Sequence, residues 1–430
     1  MRSSGRHQDR EATVMKLCVH LQVRGVARAT AGAVVIGAVA LAACGTASSP
    51  SQQAGSPSGS QPAKTSGPAP PPSSASPSSS PGSQGSLAGF RVLSMSFVSD
   101  LRGFALGTVG CRAGRCMALL GTPDGGSSWR QLTAPARAAG GVYGTCPAGQ
   151  PCVQQVRFAT PLIGYAYDPS LLVTTDGGLG WHRLRGAYVS SLETAGGTVV
   201  RVASAGTGCS GMPYQVDAAP VGSTAWRALA APPILQICPP VLYRQGERLI
   251  LAGYGNPVGG VRATAQIARS ADGGQTWASG PDHCGGADGY ASGIALAPPD
   301  VLALLCQHQM PGATGVFGPA WVRVSANSGA SFGPSQIVPS RPTAPPGTIL
   351  RYQLAAASAR RLLVVETGQQ GSRVLLTGNG GQSWSAPLSL TAAGTAILIG
   401  YQDPVTARIA QADTVWTTTD GGRTWISDRF

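Results

Sequence analysis

The sequence predicts an all-β chain folded as a seven-bladed β-propeller of four-stranded antiparallel blades, on three observations. One tight-turn motif recurs along the C-terminal four-fifths of the chain, its copies stand about one blade length apart, and short alternating strands separated by Gly, Pro and Asp fill the intervals.

The fullest copy is Ser270-Ala271-Asp272-Gly273-Gly274-Gln275-Thr276-Trp277. The same order of hydroxyl, Asp, Gly, hydroxyl and Trp surrounds Asp124, Asp176 and Asp420, with Trp129, Trp181 and Trp425. Asn379 and Asn327 replace the Asp in two further copies, and Phe332 replaces the Trp in the second of these. An Asp before Gly-Gly suits a hairpin corner, because its carboxylate accepts backbone N–H groups and glycine supplies the positive φ. The Trp then begins the returning strand and buries a large ring. All six Asp and Asn positions are therefore structural rather than catalytic.

Spacing gives the blade count. The corners are separated by 52, 96, 55, 52 and 41 residues, and the interval of 96 holds two repeats. The missing corner falls at Val221-Gly222-Ser223-Thr224-Ala225-Trp226, which keeps the Trp and lacks the Asp. Seven corners at about 49 residues suit radially repeated sheets of four strands. In blade one the strands are expected at 90–98, 103–109, 116–120 and 128–132; in blade two, at 153–158, 163–167, 171–174 and 181–184. Only 426–430 follow the last Trp, so neither end has a strand to lend the other. Face-to-face packing of the blades should close the ring.

The motif resembles the Asp-box, or BNR repeat, of sialidases and related propellers, including photosystem II stability factors and sorting-receptor ectodomains. The resemblance covers the whole C-terminal domain and implies either an enzyme or a binding scaffold. Sialidases pair a tyrosine nucleophile with a glutamate, use an aspartate as acid/base and grip a carboxylate with three arginines. Arg91, in Phe90-Arg91-Val92-Leu93, matches the first arginine without its usual proline, and no acid lies between Asp100 and Asp124. Only Glu193, Glu247 and Glu366 follow the leader, and Tyr401 is the only late tyrosine, so that constellation does not assemble. Seven-bladed xyloglucan-type hydrolases imply two facing carboxylates instead. The acids outside the corners are Asp100, Asp168, Asp217, Asp282, Asp288, Asp300, Asp403 and Asp413. Asp168 and the loop from His283 to Tyr290, with Asp288, are the most site-like.

The chain opens with a basic segment carrying Arg2, Arg6, Arg10, Lys16, Arg24 and Arg28, from a start at Met1 or Met15, followed by an apolar run over 29–43. Such a segment is a secretory signal, too short to span a bilayer. Leu41-Ala42-Ala43-Cys44-Gly45 resembles a bacterial lipobox, which implies a lipid on Cys44 and a place on the outer face of the cell membrane. Residues 44–87 are Ser-, Pro- and Gly-rich and cannot bury enough apolar surface to offset chain entropy. They form a tether spanning about 35 Å on average as a flexible coil. Residues 88–430 form the propeller.

Cysteine usage agrees with export. Beyond Cys44 there are eight, and Cys111–Cys116, Cys146–Cys152, Cys209–Cys238 and Cys284–Cys306 are the disulfides expected from proximity in sequence. His182, His283 and His308 stand at no zinc-like spacing, so no metal or other cofactor is expected. The formal charge of +13 falls to nearer +9 without the leader, and Lys64 is the only lysine left. The propeller is thus arginine-only, with a loose group at Arg341, Arg351, Arg360, Arg361 and Arg373. Arginine pairs well with planar anions, so a glycan, a wall polymer or a protein ligand is the expected partner rather than nucleic acid. Trp321 and Tyr290 are candidate aromatic platforms. The composite expectation is a tethered binding or assembly scaffold, with glycoside hydrolysis as the alternative.

Overall fold

In the computed structural model the described residues form thirty strands, arranged as seven four-stranded antiparallel sheets and one two-stranded pair. The structure describes residues 89–430 apart from 113, 141–145, 149, 207–213, 234–239, 255–264, 282, 285–288, 310–316, 342–349, 369 and 392–396. Every blade uses four consecutive strands in chain order, so that each strand pairs with its sequence neighbour. Blade one is Arg91–Phe97, Gly103–Cys111, Gly114–Thr122 and Arg130–Leu132. Blade two is Gln155–Phe158, Gly164–Tyr167, Leu171–Thr174 and His182–Leu184. The innermost strands of blades three to seven are Tyr188–Ala195, Val241–Gln245, Gly289–Ala297, Arg351–Ala356 and Ile397–Tyr401.

One strand differs from expectation. The stretch expected as one strand over 153–158 is split, because Cys152–Val153 pairs in parallel with Ala138–Ala139 in the preceding connection. The blade proper resumes at Gln155, opposite Tyr167.

The Asp-Gly-Gly corners show why their residues recur. Thr122 Oγ1 donates to Asp124 Oδ1 at 2.8 Å and accepts the Gly126 amide at 2.9 Å, while Asp124 takes the Ser128 amide at 2.8 Å and its hydroxyl at 2.5 Å. Gly125 and Gly126 have φ of 80° and 111°, values that a side chain would strain. The Gly125 amide then donates to the Leu101 carbonyl at 2.7 Å, fastening the corner to the hairpin of the two inner strands. Asp272 and Asp420 repeat this net with Thr276 and Thr424. Asp176 lacks a second hydroxyl and takes the amides of Leu179 and Gly180 instead. At Asn327 and Asn379 the amide nitrogen donates at 2.9 Å to Ser331 and Ser383, so Asn closes the same ring with the donor reversed. Blade three has no such acid. Its Val221 amide still docks on the Gly197 carbonyl, and the Arg201 guanidinium lies 4.0 Å from the Trp226 ring centre.

The hydrophobic core is not one mass but seven, each between neighbouring blades. Blades one and two, for instance, meet through Phe104, Leu119, Val156, Phe158 and Leu172. Each fully buried Leu or Phe in such a layer stabilises by about 1.5–3 kcal/mol, more than any single corner hydrogen bond at about 1 kcal/mol. Cohesion between blades is therefore mainly apolar.

The ring closes by the same kind of layer. Blades seven and one share Phe90, Met95, Leu398, Val415 and Phe430, and no strand is exchanged among the described residues. The Phe430 ring lies 5.1 Å from Phe90 and 4.9 Å from Trp129, and the Val92 amide bonds the Ala412 carbonyl at 3.0 Å.

Candidate functional site

Strand order divides the disc into two faces. One carries the Asp-Gly-Gly corners and the hairpins between first and second strands; the other carries the turns between second and third strands and the connections between blades. We call these the corner face and the connection face. Corner-face turns are short and pinned, as at Gly125 on Leu101, Gly177 on Leu162 and Gly421 on Val405. The connection face includes long segments, such as the one from Leu132 to Gln155. Three disulfides staple it: Cys111–Cys116, Cys146–Cys152 and Cys284–Cys306, with Cα separations of 5.8, 5.4 and 5.4 Å. The expected Cys209–Cys238 bridge lies outside the described residues, as do Cys44, Asp282 and Asp288.

The arginine group separates between these faces. Arg351 begins the inner strand of blade six and Arg373 lies early in its third strand, both toward the connection face. Arg360 and Arg361 sit in the opposite hairpin, where Arg361 Nη1 donates to the Pro404 carbonyl of blade seven at 3.1 Å. Arg373 is held by Glu366 Oε2 at 2.5 Å and bonds the Pro339 carbonyl, and the Arg341 amide donates to Glu366 Oε1 at 3.3 Å. These five arginines are thus not one patch. Burial pushes the Arg351 guanidinium below its ordinary value. Arg91 is exposed at the connection-face end of blade one, close enough to Arg115 to depress it further after burial has done so.

Two other candidates are interior. Trp321 is 9% exposed and packs with Tyr243, Cys284 and Cys306 between blades four and five, so it is a core residue and not a surface platform. Asp168 is 5% exposed in the turn between the second and third strands of blade two, with a φ of 71°. Tyr290 belongs to the inner strand of blade five.

Most of the acids have a local task. Asp217 pairs with Arg201 at 2.9 Å, Asp300 with Arg248 at 3.3 Å and Asp413 with Arg429 at 3.4 Å. Asp403 accepts the amides of Val405 and Thr406, both at 2.8 Å, and Asp100 accepts Gln402 Nε2 at 2.7 Å. The corner acids are drawn down by their own turns: the hydroxyl and amide of Ser128 bring Asp124 to about 2. Thr276 and Thr424 act likewise on Asp272 and Asp420. A general acid needs a raised value, and the corner acids are lowered instead.

Sequence reasoning missed a buried ion pair. Arg157 on blade two donates through Nη2 to Glu193 Oε1 on blade three at 2.6 Å, with side-chain exposures of 6% and 4%. Burial pushes the Glu193 carboxyl up to about 7, against the pull of Arg157 and then of Arg244. The hydroxyls of Tyr167 and Tyr243 are also raised, by burial first. The only signal in the sequence was the rarity of glutamate, since Glu193 sits in an ordinary strand pattern. Arg157 also lines a cavity of about 600 Å³ on the corner face, between the inner strands of blades one to four and the turn at Pro298 and Pro299.

No protein-family model matches the chain, and no curated protein sequence does either. Among solved structures it is similar to a peptidase from Mycobacterium tuberculosis described as puromycin-hydrolyzing, at 15% identity and a TM-score of 0.51, covering 79% of this chain and 53% of that one. It is also similar to YCF48 bound to D1 peptide, at 16% identity and a TM-score of 0.49, covering 77% of this chain and 94% of that one. An enzyme described as an ancestral GH74 shares 13% identity at a TM-score of 0.49, over 79% of this chain and 46% of that one. At such identities the likeness is one of fold: the chain is a β-propeller.

Proposed function

We propose that the protein is a membrane-tethered binding or assembly scaffold of the cell envelope, an Asp-box propeller that presents its connection face to an anionic glycan, wall polymer or protein. The single observation that carries this reading is the employment of the acids. Glu366, Asp217, Asp300 and Asp413 are ion-paired, Asp100 and Asp403 hold neighbouring groups, and the corner carboxylates close turns. A disc most of whose described carboxylates serve its own architecture is better suited to holding a ligand than to cleaving one.

The tether belongs to the same reading. A lipid on Cys44 and a coil over 44–87 would bring the chain in at Gly89, whose carbonyl accepts Arg115 Nη2 at 2.9 Å on the connection face. The disc would hang from the membrane by the rim of its binding face. Labelled palmitate should be incorporated into the full chain and not into Cys44→Ser, which should leave the membrane fraction.

The experiment that tests the main claim is a binding screen of the purified chain against teichoic and uronic polymers and neutral glycans, with product release assayed in the same samples. Binding without turnover, weakened by Arg91→Gln and Arg351→Gln, is the expected result. Turnover that is abolished by Asp168→Asn would replace the scaffold with a surface glycosidase.

A further inference from the structure

The corner face, which the proposed scaffold leaves unused, contains the cavity of about 600 Å³ beside Arg157. Its size falls within the roughly 300–1,000 Å³ of small-molecule sites. The walls combine apolar groups, among them Phe158, Val221, Pro298 and Pro299, with Thr194 and Gln245. Among the described residues its charged lining is Arg157 and Arg248, and none is acidic.

Arg157 is incompletely satisfied. Its Nη2 bonds Glu193 Oε1, yet among the described residues its buried Nε has no hydrogen-bond partner, and Glu193 Oε2 has none either. A buried guanidinium ordinarily engages several acceptors, and a carboxylate best meets it with two oxygens. Arg248, by contrast, is committed to Asp300 and Ser328 of blade five.

We propose that this axial cavity binds a small organic carboxylate with an apolar body, whose anionic group takes Arg157 as its counter-ion. The apolar body rests on the Phe158, Val221 and proline walls, and the carboxylate occupies the end at Arg157. As it does so, Glu193 gives up its role as the sole counter-ion and takes one proton from solvent. The groups that face Glu193 are Arg157 and Arg244, with Tyr167 and Tyr243 on the neighbouring strands. Arg244 is itself shared with Glu247, 3.9 Å away, and donates to Thr198 Oγ1 at 2.6 Å. Burial already favours protonation of Glu193, so the exchange of one anion for another needs no rearrangement of the strands. Affinity accordingly rises as pH falls.

The test is isothermal titration of the whole purified chain with 4-phenylbutyrate and, separately, with the neutral amide of the same shape. The acid should bind at least about tenfold more tightly than the amide, and more tightly at pH 6 than at pH 8. Repeating the titration in buffers of different ionisation enthalpy should show the uptake of a proton. Arg157→Gln should lower the affinity at least about tenfold. If that variant does not fold, Ala195→Trp decides the matter, since Ala195 lines the cavity without belonging to the ion pair and the indole should block it. Equal affinity for acid and amide, binding that survives Ala195→Trp, or no heat from either compound would each overturn the proposal. Loss of binding here with polymer binding intact would leave the connection-face scaffold standing, and the reverse would leave this site standing.

Discussion

Arg408 of blade seven donates through Nη2 to the backbone carbonyl of Asp100 in blade one at 2.6 Å, spanning the seam of the ring with a side chain that is 2% exposed. The same guanidinium bonds Gln402 Oε1, reaches the Gly125 carbonyl at 3.4 Å and lies 3.8 Å from the Phe97 ring centre. Burial pushes it down to about 10, still far above neutrality. Replacing it with Met strands those buried acceptors, so Arg408→Met should cost about 2–4 kcal/mol in urea unfolding. Arg408→Lys should recover only part of that loss, because an ammonium lacks the planar fork that reaches all three acceptors.

The corners offer a graded comparison. Asp124→Asn should cost under about 0.5 kcal/mol, since Asn327 and Asn379 already close the same ring with a reversed donor. Asp124→Ala removes the acceptor of the Ser128 amide and hydroxyl and should cost about 1–2 kcal/mol. Thermal unfolding of the two variants side by side checks the order.

Ala412 holds a φ of 54° in the hairpin between the second and third strands of blade seven. A side chain is strained there and glycine is not, so Ala412→Gly should raise stability by about 0.5–1 kcal/mol. An unchanged or lowered midpoint in denaturant would contradict that.

The disulfides should not contribute equally. Cys284–Cys306 closes 22 residues, against 5 and 6 for the others. Chain-entropy reasoning gives about 3 kcal/mol for the long loop and about 2 for each short one. Unfolding of the double Cys→Ser variant at each pair measures the difference.

Stability should depend on pH in two opposite ways. Asp124 is lowered in the folded chain, so the stability it supplies is present above its ordinary value near 3.8 and is lost as pH falls toward 2. Glu193 is raised from 4.5 to about 7, so between those values the folded chain holds a proton that the unfolded chain has released, and stability declines as pH rises through that window. Glu193→Gln should flatten the decline between about pH 5 and pH 7 without altering the acid limb.

The fold was legible because each blade repeats one chemical device. An Asp or Asn corner, a Trp and a near-constant interval were enough to place seven blades, including the one at Trp226 that lacks the acid. The arginines were not legible. Arg360 and Arg373 are 13 residues apart yet lie toward opposite faces, because the strand Leu362–Gly368 crosses the blade between them. Several other arginines join blades: Arg157 to Glu193, Arg244 to Thr198, Arg269 to Gly329, Arg361 to Pro404 and Arg408 to Asp100. Much of the positive charge that composition suggests for a ligand is therefore spent between blades. Trp321 was misleading for a related reason: a strand exposes or buries alternate residues, and only packing from the next blade shows which side is covered.

Phe90 and Phe430, with ring centres 5.1 Å apart, have one more consequence. The two ends of the described ring are neighbours, and the layer they complete is equivalent to the six others. The seam is thus a matter of chain connectivity and not of architecture. A circular permutant that joins 430 to 89 through a short glycine linker and opens between blades two and three should fold to the same disc. The position of the break would then show whether the blades assemble in order from one end or as interchangeable units.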